Sequence, residues 1–449
     1  MDEKDILAEV WPKEEELKEA QEKFESIRDW IEEKYGVKAD LMGSIGKRTF
    51  ISGDKDLDIF IFFSRDISEE ELEDKGLEIG ESVFEKFGGD FKVEFAEHPY
   101  TKGDIDGFDV EIVPAYDIDG PEDMKSSVDR TPMHKRWINS NLELEEKKQV
   151  VLLKQFLKGT GLYGSTLKKE GFSGYLCELL IAHFGSFKQL LDSAIDWDRG
   201  QIIDPENYHE GELPEELEEQ FTDQGLIVID PTDPERNVAS VLSMEKYSRF
   251  IYEAWKYLED PSERFFFPEE IEVDRGDIKD EIDARGDMIV VEFERPDVVE
   301  DILYPQLRKL MERIIQLLRK NEFQLFDSGF WVGEGTVKLV FDFQNFRLPD
   351  RIKHSGPEVF HNQENIENFS GKYDNVWVEE TRLTTLVERE YRDAEELLEE
   401  FFQGDPEKLR EKGVPKHLAE PAEEREIHPP ELEGENWLKF LAEFLHLAG

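Results

Sequence analysis

Residues 54–63 constrain the fold more than any other stretch, because acidic residues at every second position lead into an unbroken apolar run. The segment reads DKDLDIFIFF, with aspartates at 54, 56 and 58. An apolar run bounded in this way predicts a buried β-strand. Side chains alternate between the two faces of a strand, so Asp54, Asp56 and Asp58 are predicted to share one face. Three like charges at the mouth of a buried strand indicate a positively charged ligand.

A second strand is predicted to complete this acidic group. The segment FDVEIVP carries Asp109 and Glu111, which are two residues apart and therefore share a face. If this strand lies beside the first, it sets a third carboxylate against Asp56 and Asp58. Carboxylate oxygens are the ligands that Mg²⁺ prefers. Together with the Gly-Ser turn at 43–44, the pattern predicts a two-metal site for phosphoryl transfer.

The alternative is a solvated acidic face without a ligand, because acids are common throughout this chain. It has 107 Asp and Glu against 55 Lys and Arg, a formal net charge of -52. Such a charge usually argues against a nucleic-acid partner. The acids are spread over every segment, however, as in a halophilic surface on which concentrated salt screens self-repulsion. We therefore interpret the net charge as a mark of habitat.

Length and composition predict a folded, multidomain chain. The 449 residues are too many for one core, and 38% of them are hydrophobic. With no apolar segment of eighteen residues and no secretory pattern, we expect a soluble, cytoplasmic protein. Cys177 is the single cysteine, so an internal disulfide is excluded. Its position in the apolar segment GYLCELLIAHF predicts a buried thiol.

The periodicity of the apolar residues predicts helices and strands in both halves of the chain. Helices are predicted over 13–35 and 68–87, the latter opened by the capping pattern Ser-x-x-Glu. Strands are predicted at 91–95 and 108–113 on either side of a loop that contains His98. Residues 145–257 are predicted to be mostly helical. A strand, helix, strand, strand pattern over 288–343 predicts a small α+β module.

A series of short motifs extends from residue 43 to residue 357. In chain order they are Gly43-Ser44, Lys47, Thr49, Asp56-x-Asp58, His98-Pro99-Tyr100, Val128 to His134, Leu152-Leu153-Lys154, Gly161 to Gly164, Gly171 to Leu176 and His354 to Pro357. Together they resemble the polymerase-beta-like nucleotidyltransferases and, over nearly the whole chain, the archaeal class of CCA-adding tRNA nucleotidyltransferases. The carboxylate motif is shared by a broad superfamily, whereas Asp-Arg-Thr-Pro and Phe-Ser-Gly-Tyr are much more particular.

The resemblance implies an α+β fold with a polymerase-beta-like catalytic head at 1–143, a mostly helical neck at 144–257, and an RNA-binding body and tail at 258–449. It implies addition of C, C and A to the 3′ end of tRNA from CTP and ATP, with two Mg²⁺ ions. It is also compatible with a homodimer. Poly(A) polymerase, a small-substrate nucleotidyltransferase and a silent RNA-binding protein remain alternatives. Basic residues cluster in the C-terminal half and suggest RNA contacts, namely Arg308, Lys309, Arg313, Arg319, Lys320, Arg347, Arg351 and Lys353.

The same resemblance assigns roles to individual residues. It makes Asp56, Asp58 and Glu111 the metal-holding acids. The family usually has Asp at the third position, so Asp109 is a rival of the longer Glu111. It assigns contacts with the nucleotide phosphates to Ser44, Lys47, His134, Lys154 and Tyr163, and recognition of the base to Arg236.

The acidic composition leads to a prediction about salt. Diluting KCl from about 1 M, where the Debye length is about 3 Å, to about 0.1 M, where it is about 10 Å, should unfold the chain through repulsion between surface acids. Circular dichroism should show helix content falling on dilution. Full structure and activity in dilute salt would contradict the halophilic interpretation.

Overall fold

The computed structural model of the chain describes residues 3–95, 97–118, 120–269, 274–360 and 362–447. The chain divides into two compact units, residues 1–269 and residues 270–449. Each unit combines helices with β-sheets, which confirms the predicted α+β class. The finer boundaries at 143/144 and 257/258 stay predictions. Of the helices that these residues form, none combines the length and apolar character that a membrane span needs.

The first unit contains both helices and strands along its whole length. Its helices are α1 Glu3–Val10, α2 Glu14–Tyr35, α3 Gly43–Lys47, α4 Glu69–Phe87, α5 Arg130–Asn141, α6 Leu144–Gly159, α7 Gly174–Phe184, α8 Phe187–Ala194, α9 Glu215–Gln220 and α10 Met244–Glu259. Its strands are β1 Lys38–Leu41, β2 Asp56–Phe63, β3 Phe91–Phe95, β4 Pro99–Ile105, β5 Phe108–Tyr116, β6 Gln201–Ile203, β7 Leu226–Asp230 and β8 Asp233–Asn237.

The first five strands form one sheet in the order β1-β2-β5-β4-β3. Strands β2 and β5 are parallel neighbours near its centre, and the other neighbouring pairs are antiparallel. The apolar run of β2 is buried, with Leu57, Ile59 and Ile61 fully excluded from solvent. Helices α2 and α4 share a hydrophobic core with this sheet. Burial on both sides explains why β2 carries an unbroken apolar run.

The sequence predicts α2 and α4 correctly, including the cap of α4, where the Ser68 side chain accepts a hydrogen bond from the backbone N–H of Glu71. Two predictions in this region are wrong. The Gly-Ser pair at 43–44 opens the short helix α3 instead of forming only a turn. Residues 99–105, predicted as part of a loop, form β4 and pair with β5.

A second core joins the helices that follow the sheet. Phe156 of α6, Leu179 of α7, Phe187 of α8 and Phe250 of α10 are fully buried in it. The prediction that residues 145–257 are mostly helical is correct for these elements, but it does not include the sheet β6-β7-β8. Strand β7 has the sequence LIVID and is buried along its whole length, so its last residue, Asp230, is a buried acid.

The second unit contains two sheets and six helices among its described residues. Its helices are α11 Arg275–Arg285, α12 Glu300–Lys320, α13 Gln363–Lys372, α14 Ala394–Phe401, α15 Pro406–Glu411 and α16 Glu435–Phe444. Its strands are β9 Met288–Glu294, β10 Leu325–Val332, β11 Thr336–Phe343, β12 Arg351–Glu358, β13 Trp377–Glu379, β14 Arg382–Glu388 and β15 Glu426–His428. The sheets run β10-β11-β9-β15 and β12-β14-β13. The predicted strand, helix, strand, strand pattern is confirmed as β9, α12, β10 and β11.

Candidate active site

The parallel pairing of β2 with β5 brings the predicted acids together. Asp56 is in register with Asp109, and Asp58 is in register with Glu111. Registered residues of neighbouring strands point to the same face, so these acidic side chains form one group, which we call the carboxylate group. Asp54 precedes the strand, and its carboxylate lies 3.2 Å from the ammonium of Lys158.

The carboxylate group carries more negative charge than its surroundings neutralise. Burial, followed by the charges of Glu111 and Asp56, raises the pKa of Asp58 to about 7. Burial, followed by the charges of Asp54 and Asp109, raises the pKa of Asp56. Crowded oxygen ligands whose ionised forms need positive charge are the chemistry that suits Mg²⁺. The residues present therefore fit the predicted metal site.

Lys102 of β4 is the cation nearest to the outer part of this group. Its Nζ lies 2.6 Å from Oε1 of Glu111 and 3.0 Å from Oδ2 of Asp109. Burial lowers the pKa of Lys102, but the hydrogen bonds to both carboxylates outweigh this effect and raise it. Lys102 therefore stays charged and holds the two rival acids side by side. The sequence gives no sign of this role, because residues 99–105 are predicted as part of a loop.

Gly43 makes room for the carboxylate of Asp58. A Cβ built on Gly43 would lie 1.6 Å from Oδ2 of Asp58, and the residue has the left-handed φ of 58°. The backbone N–H of Met42 donates to the carbonyl of Asp58 over 2.7 Å, which fixes the entrance to α3 against β2. Ser44 follows in α3, where its carbonyl accepts the backbone N–H of Thr49. The Gly-Ser pair thus lies directly against the carboxylate group.

Two predicted nucleotide-binding residues, His134 and Arg236, meet at the buried carboxylate of Asp230. Nε2 of His134 lies 3.0 Å from Oδ2, and Nη1 of Arg236 donates to the same oxygen over 2.8 Å. Oδ1 accepts from the hydroxyl of Tyr175 and from both the backbone and side chain of Thr232. Burial raises the pKa of Asp230, but the hydrogen bond and charge of His134 and the bonds from Thr232 lower it overall.

His134 also stacks on an aromatic ring. Its ring centroid lies 3.8 Å from that of Tyr175, with 19° between the planes. Burial lowers the pKa of His134, although the hydrogen bond to Asp230 opposes this effect. The arrangement holds the imidazole and the Arg236 guanidinium in fixed positions, and about a third of the Arg236 side chain is exposed. Planar groups held in this way can hydrogen-bond or stack on a base.

Two further predicted residues, Lys47 and Lys154, converge on Glu178 of α7. Nζ of Lys47 lies 2.5 Å from Oε2 of Glu178, and Nζ of Lys154 lies 3.7 Å from Oε1. Thr49 donates its hydroxyl to Oε1 over 2.5 Å, and its carbonyl accepts from Lys154 over 2.8 Å. We call Lys47, Thr49, Lys154 and Glu178 the lysine cluster. Tyr163 is adjacent, since a Cβ on Gly174 would contact both its hydroxyl and Nζ of Lys154.

Lys47 connects the lysine cluster with the other two groups. Its Nζ lies 5.6 Å from the centroid of the Tyr175 ring, which is the ring that stacks on His134. The charge of Lys47 also acts on Asp58, where it partly offsets the increase in pKa caused by burial and neighbouring acids. The structure therefore brings every predicted site residue except Ser44 and Tyr163 into one of three connected groups. Ser44 lies in the helix that ends at Lys47, and Tyr163 lies beside the lysine cluster.

Four residues of the site are not among the residues predicted from the sequence, namely Lys102, Tyr175, Glu178 and Asp230. Glu178 had a visible signal, because it is a lone acid inside the apolar segment GYLCELLIAHF and a charged residue in a buried helix needs a partner. Asp230 had the same signal at the end of LIVID. Lys102 had none, and Tyr175 had only its place in the Phe-Ser-Gly-Tyr motif. The roles of both residues depend on which strands and helices become neighbours.

Two family descriptions match long parts of the chain. Residues 148–267 match the family described as tRNA nucleotidyltransferase, second domain. Residues 285–428 match the family described as CCA-adding enzyme, C-terminal domain. One match therefore covers most of the helical region of the first unit, and the other covers most of the second unit.

Relatives match nearly the full length. The chain is 37% identical over 412 residues to a CCA-adding enzyme of Methanothermobacter thermautotrophicus, covering 90% of this chain and 88% of the relative. It is 37% identical over 427 residues to a CCA-adding enzyme of Methanocaldococcus jannaschii, covering 92% of both. Among solved structures, the Cid1 poly(U) polymerase with bound Mg and 3′-dATP is 13% identical with a TM-score of 0.47, covering 58% of this chain and 94% of that chain.

The packing of Gly43 against Asp58 gives a testable prediction. Gly43→Ala should push the Asp58 carboxylate away and weaken Mn²⁺ binding, measured by calorimetry, about tenfold or more, as other losses of ligand support do. Gly53→Ala is the matched control, because Gly53 also has a positive φ but has open space around its Cβ position. Equal Mn²⁺ affinity in the two folded variants would contradict the proposed contact.

Proposed function

The chain belongs to the CCA-adding enzyme family, and we propose that it adds C, C and A to the 3′ end of tRNA. CTP and ATP are the donors, and the tRNA 3′-hydroxyl attacks the α-phosphate with release of pyrophosphate. The observation that carries the chemistry is the carboxylate group on β2 and β5. The identity of the substrate is inferred from the family, since the relatives that match most of the chain are CCA-adding enzymes. A tRNA substrate makes the cytoplasm the expected location.

Asp56, Asp58 and Glu111 are the proposed ligands of two Mg²⁺ ions. These ions would lower the pKa of the attacking hydroxyl and neutralise the leaving pyrophosphate. Asp58 lies against Gly43, and the register sets Glu111 directly beside it. Asp109 is paired with Asp56 instead and is more exposed. This arrangement favours Glu111 over Asp109 as the third ligand, with Lys102 holding its carboxylate in place.

The nucleotide is proposed to lie between the carboxylate group and Asp230. Ser44, Lys47, Lys154 and Tyr163 are assigned to the phosphates, because hydroxyls and ammonium groups suit phosphate oxygens. His134 and Arg236 are assigned to the other end of the nucleotide, where the fixed guanidinium can discriminate between bases. The position of Lys47 between Asp58 and the Tyr175 ring supports one continuous pocket.

The second unit is proposed to bind the folded tRNA. Lys309 and the last turn of α12, with Arg319 and Lys320, are exposed and basic in an acidic chain. Three of the other predicted bases contribute less net charge because they pair with acids within the unit. These pairs are Arg347 with Asp393, Arg351 with Glu388 and Lys353 with Glu379. The α12 residues are therefore the better candidates for phosphate contacts.

The function is tested with tRNA transcripts that end before the terminal triplet, after its first C or after its second C. With Mg²⁺ and all four ribonucleotides, the chain should extend all three transcripts to the same CCA end and then stop. A pocket whose hydrogen-bonding groups accept one base leaves unpaired groups when it meets another, which limits each addition. The Asp56→Ala variant is the control, since it should bind tRNA but not extend it.

Other outcomes would identify the alternatives. Long adenine tails would indicate a poly(A) polymerase, and transfer only to a small molecule would indicate a small-substrate enzyme. Binding of tRNA without extension would indicate a silent RNA-binding protein. Extension of an unstructured RNA as efficiently as tRNA would contradict recognition of the folded molecule through backbone and shape.

The two rival acids are separated by matched substitutions. Glu111→Gln should reduce the rate of nucleotide addition by about a hundredfold or more, as loss of an acid that acts through metal ions does. Asp109→Asn should have a small effect, because Asp109 is the more exposed partner of Lys102. Single-turnover rates at saturating Mg²⁺ measure both changes. The reverse ranking would give the metal-ligand role to Asp109.

A further inference from the structure

Glu178 is a fully buried carboxylate that joins three separate parts of the first unit. It lies on α7 and contacts Lys47 at the end of α3, Thr49 just after it, and Lys154 on α6. Burial raises the pKa of Glu178, but the charges of Lys47 and Lys154 and the hydrogen bonds from Lys47 and Thr49 lower it overall. The carboxylate is therefore ionised and shared between two ammonium groups.

Burying a charged cluster of this kind costs folding free energy, so we ask what it contributes to function. Each buried ion loses its hydration, and apolar residues of similar volume often stabilise a fold as well as a buried ion pair does. The surrounding core of α6 and α7 is apolar, with Leu153, Phe156 and Leu179 fully buried. The cluster has two basic groups for one carboxylate, an excess of one base. Burial lowers the pKa of Lys154, and the charge of Glu178 opposes this effect. Stability of the fold alone gives no reason for that excess.

Lys47 is the basic group of the lysine cluster on the side of the carboxylate group and the proposed nucleotide pocket. Lys47 is the most exposed charged member, at 11% of its side chain against 2% for Lys154 and 0% for Glu178. Its Nζ reaches the Tyr175 ring, and its charge acts on Asp58. Lys154 lies behind it, fixed by the carbonyl of Thr49 over 2.8 Å. Glu178 thus determines where both ammonium groups are held.

We propose that Glu178 is a positioning residue that holds Lys47 and Lys154 in place for the triphosphate of the incoming nucleotide. The inference rests on the proposed function, which assigns these lysines to the phosphates. It predicts that Glu178 matters for a triphosphate, whose β and γ phosphates need fixed cations, and not for a monophosphate. A residue that only supported the fold would affect both ligands or neither.

The test compares CTP with CMP. Glu178→Gln keeps the shape and removes the charge, so Lys47 and Lys154 repel each other and shift. CTP binding measured by calorimetry should weaken at least about tenfold, since small displacements of positioned groups have effects of this size or larger. CMP binding should stay unchanged. In steady-state assays the KM for CTP should rise while the KM for tRNA stays constant. Glu178→Asp keeps the charge and should recover part of the CTP affinity.

Asp342→Asn is the matched control. Asp342 is another fully buried carboxylate, paired over 3.1 Å with Arg285 in the second unit, so this variant removes a buried charge elsewhere. It should lower the melting temperature without changing CTP affinity. A folded Glu178→Gln variant that binds CTP like the wild type, or loses CTP and CMP affinity equally, would overturn the proposal while leaving the proposed function intact. Failure of the wild type to bind CTP would overturn both.

Discussion

The parallel, in-register pairing of β2 with β5 is the constraint on which the candidate site depends. It sets Asp56 beside Asp109 and Asp58 beside Glu111, although about fifty residues of chain separate the partners. The apolar residues that alternate with these acids lie in the core on the opposite face, so a slip of one residue would bury the acids and expose the core. The hydrophobic core thus fixes the register of the carboxylates, and the repulsion between them is tolerated because core packing outweighs it.

Each cation near this group has a separate position and a separate role. Lys102 neutralises the outer acids, whereas Lys47 approaches Asp58 from the side of the lysine cluster. The acid at the other end, Asp230, holds His134 and Arg236. Acids and basic groups therefore lie next to one another from the carboxylate group to Asp230. Because each charge is oriented by its neighbour, the site is organised before a nucleotide binds, which lowers the cost of orienting charges around the reacting phosphates.

The parts of the fold and site that the sequence predicted are those set by local patterns. The apolar spacing of α2 and α4 and the alternation along β2 and β5 are properties of single segments, so they could be read directly. Strand β4 and the short helix α3 depend on neighbours that the sequence does not name, and both were mispredicted. For the same reason Lys102 was missed, while Lys47 and Lys154 were identified without the carboxylate that holds them.

The chain uses its acids in two physically different ways. Exposed acids repel weakly across water, and salt screens them within a few ångströms, so their effect on stability changes with ionic strength. Buried acids such as Glu178 and Asp230 are not reached by salt ions, and each has a cation at hydrogen-bonding distance, Lys47 for Glu178 and Arg236 for Asp230. Screening therefore leaves the internal charge pattern unchanged. A strongly acidic surface can therefore coexist with the proposed nucleotide site, because the charges that would bind the nucleotide are fixed by partners inside the protein.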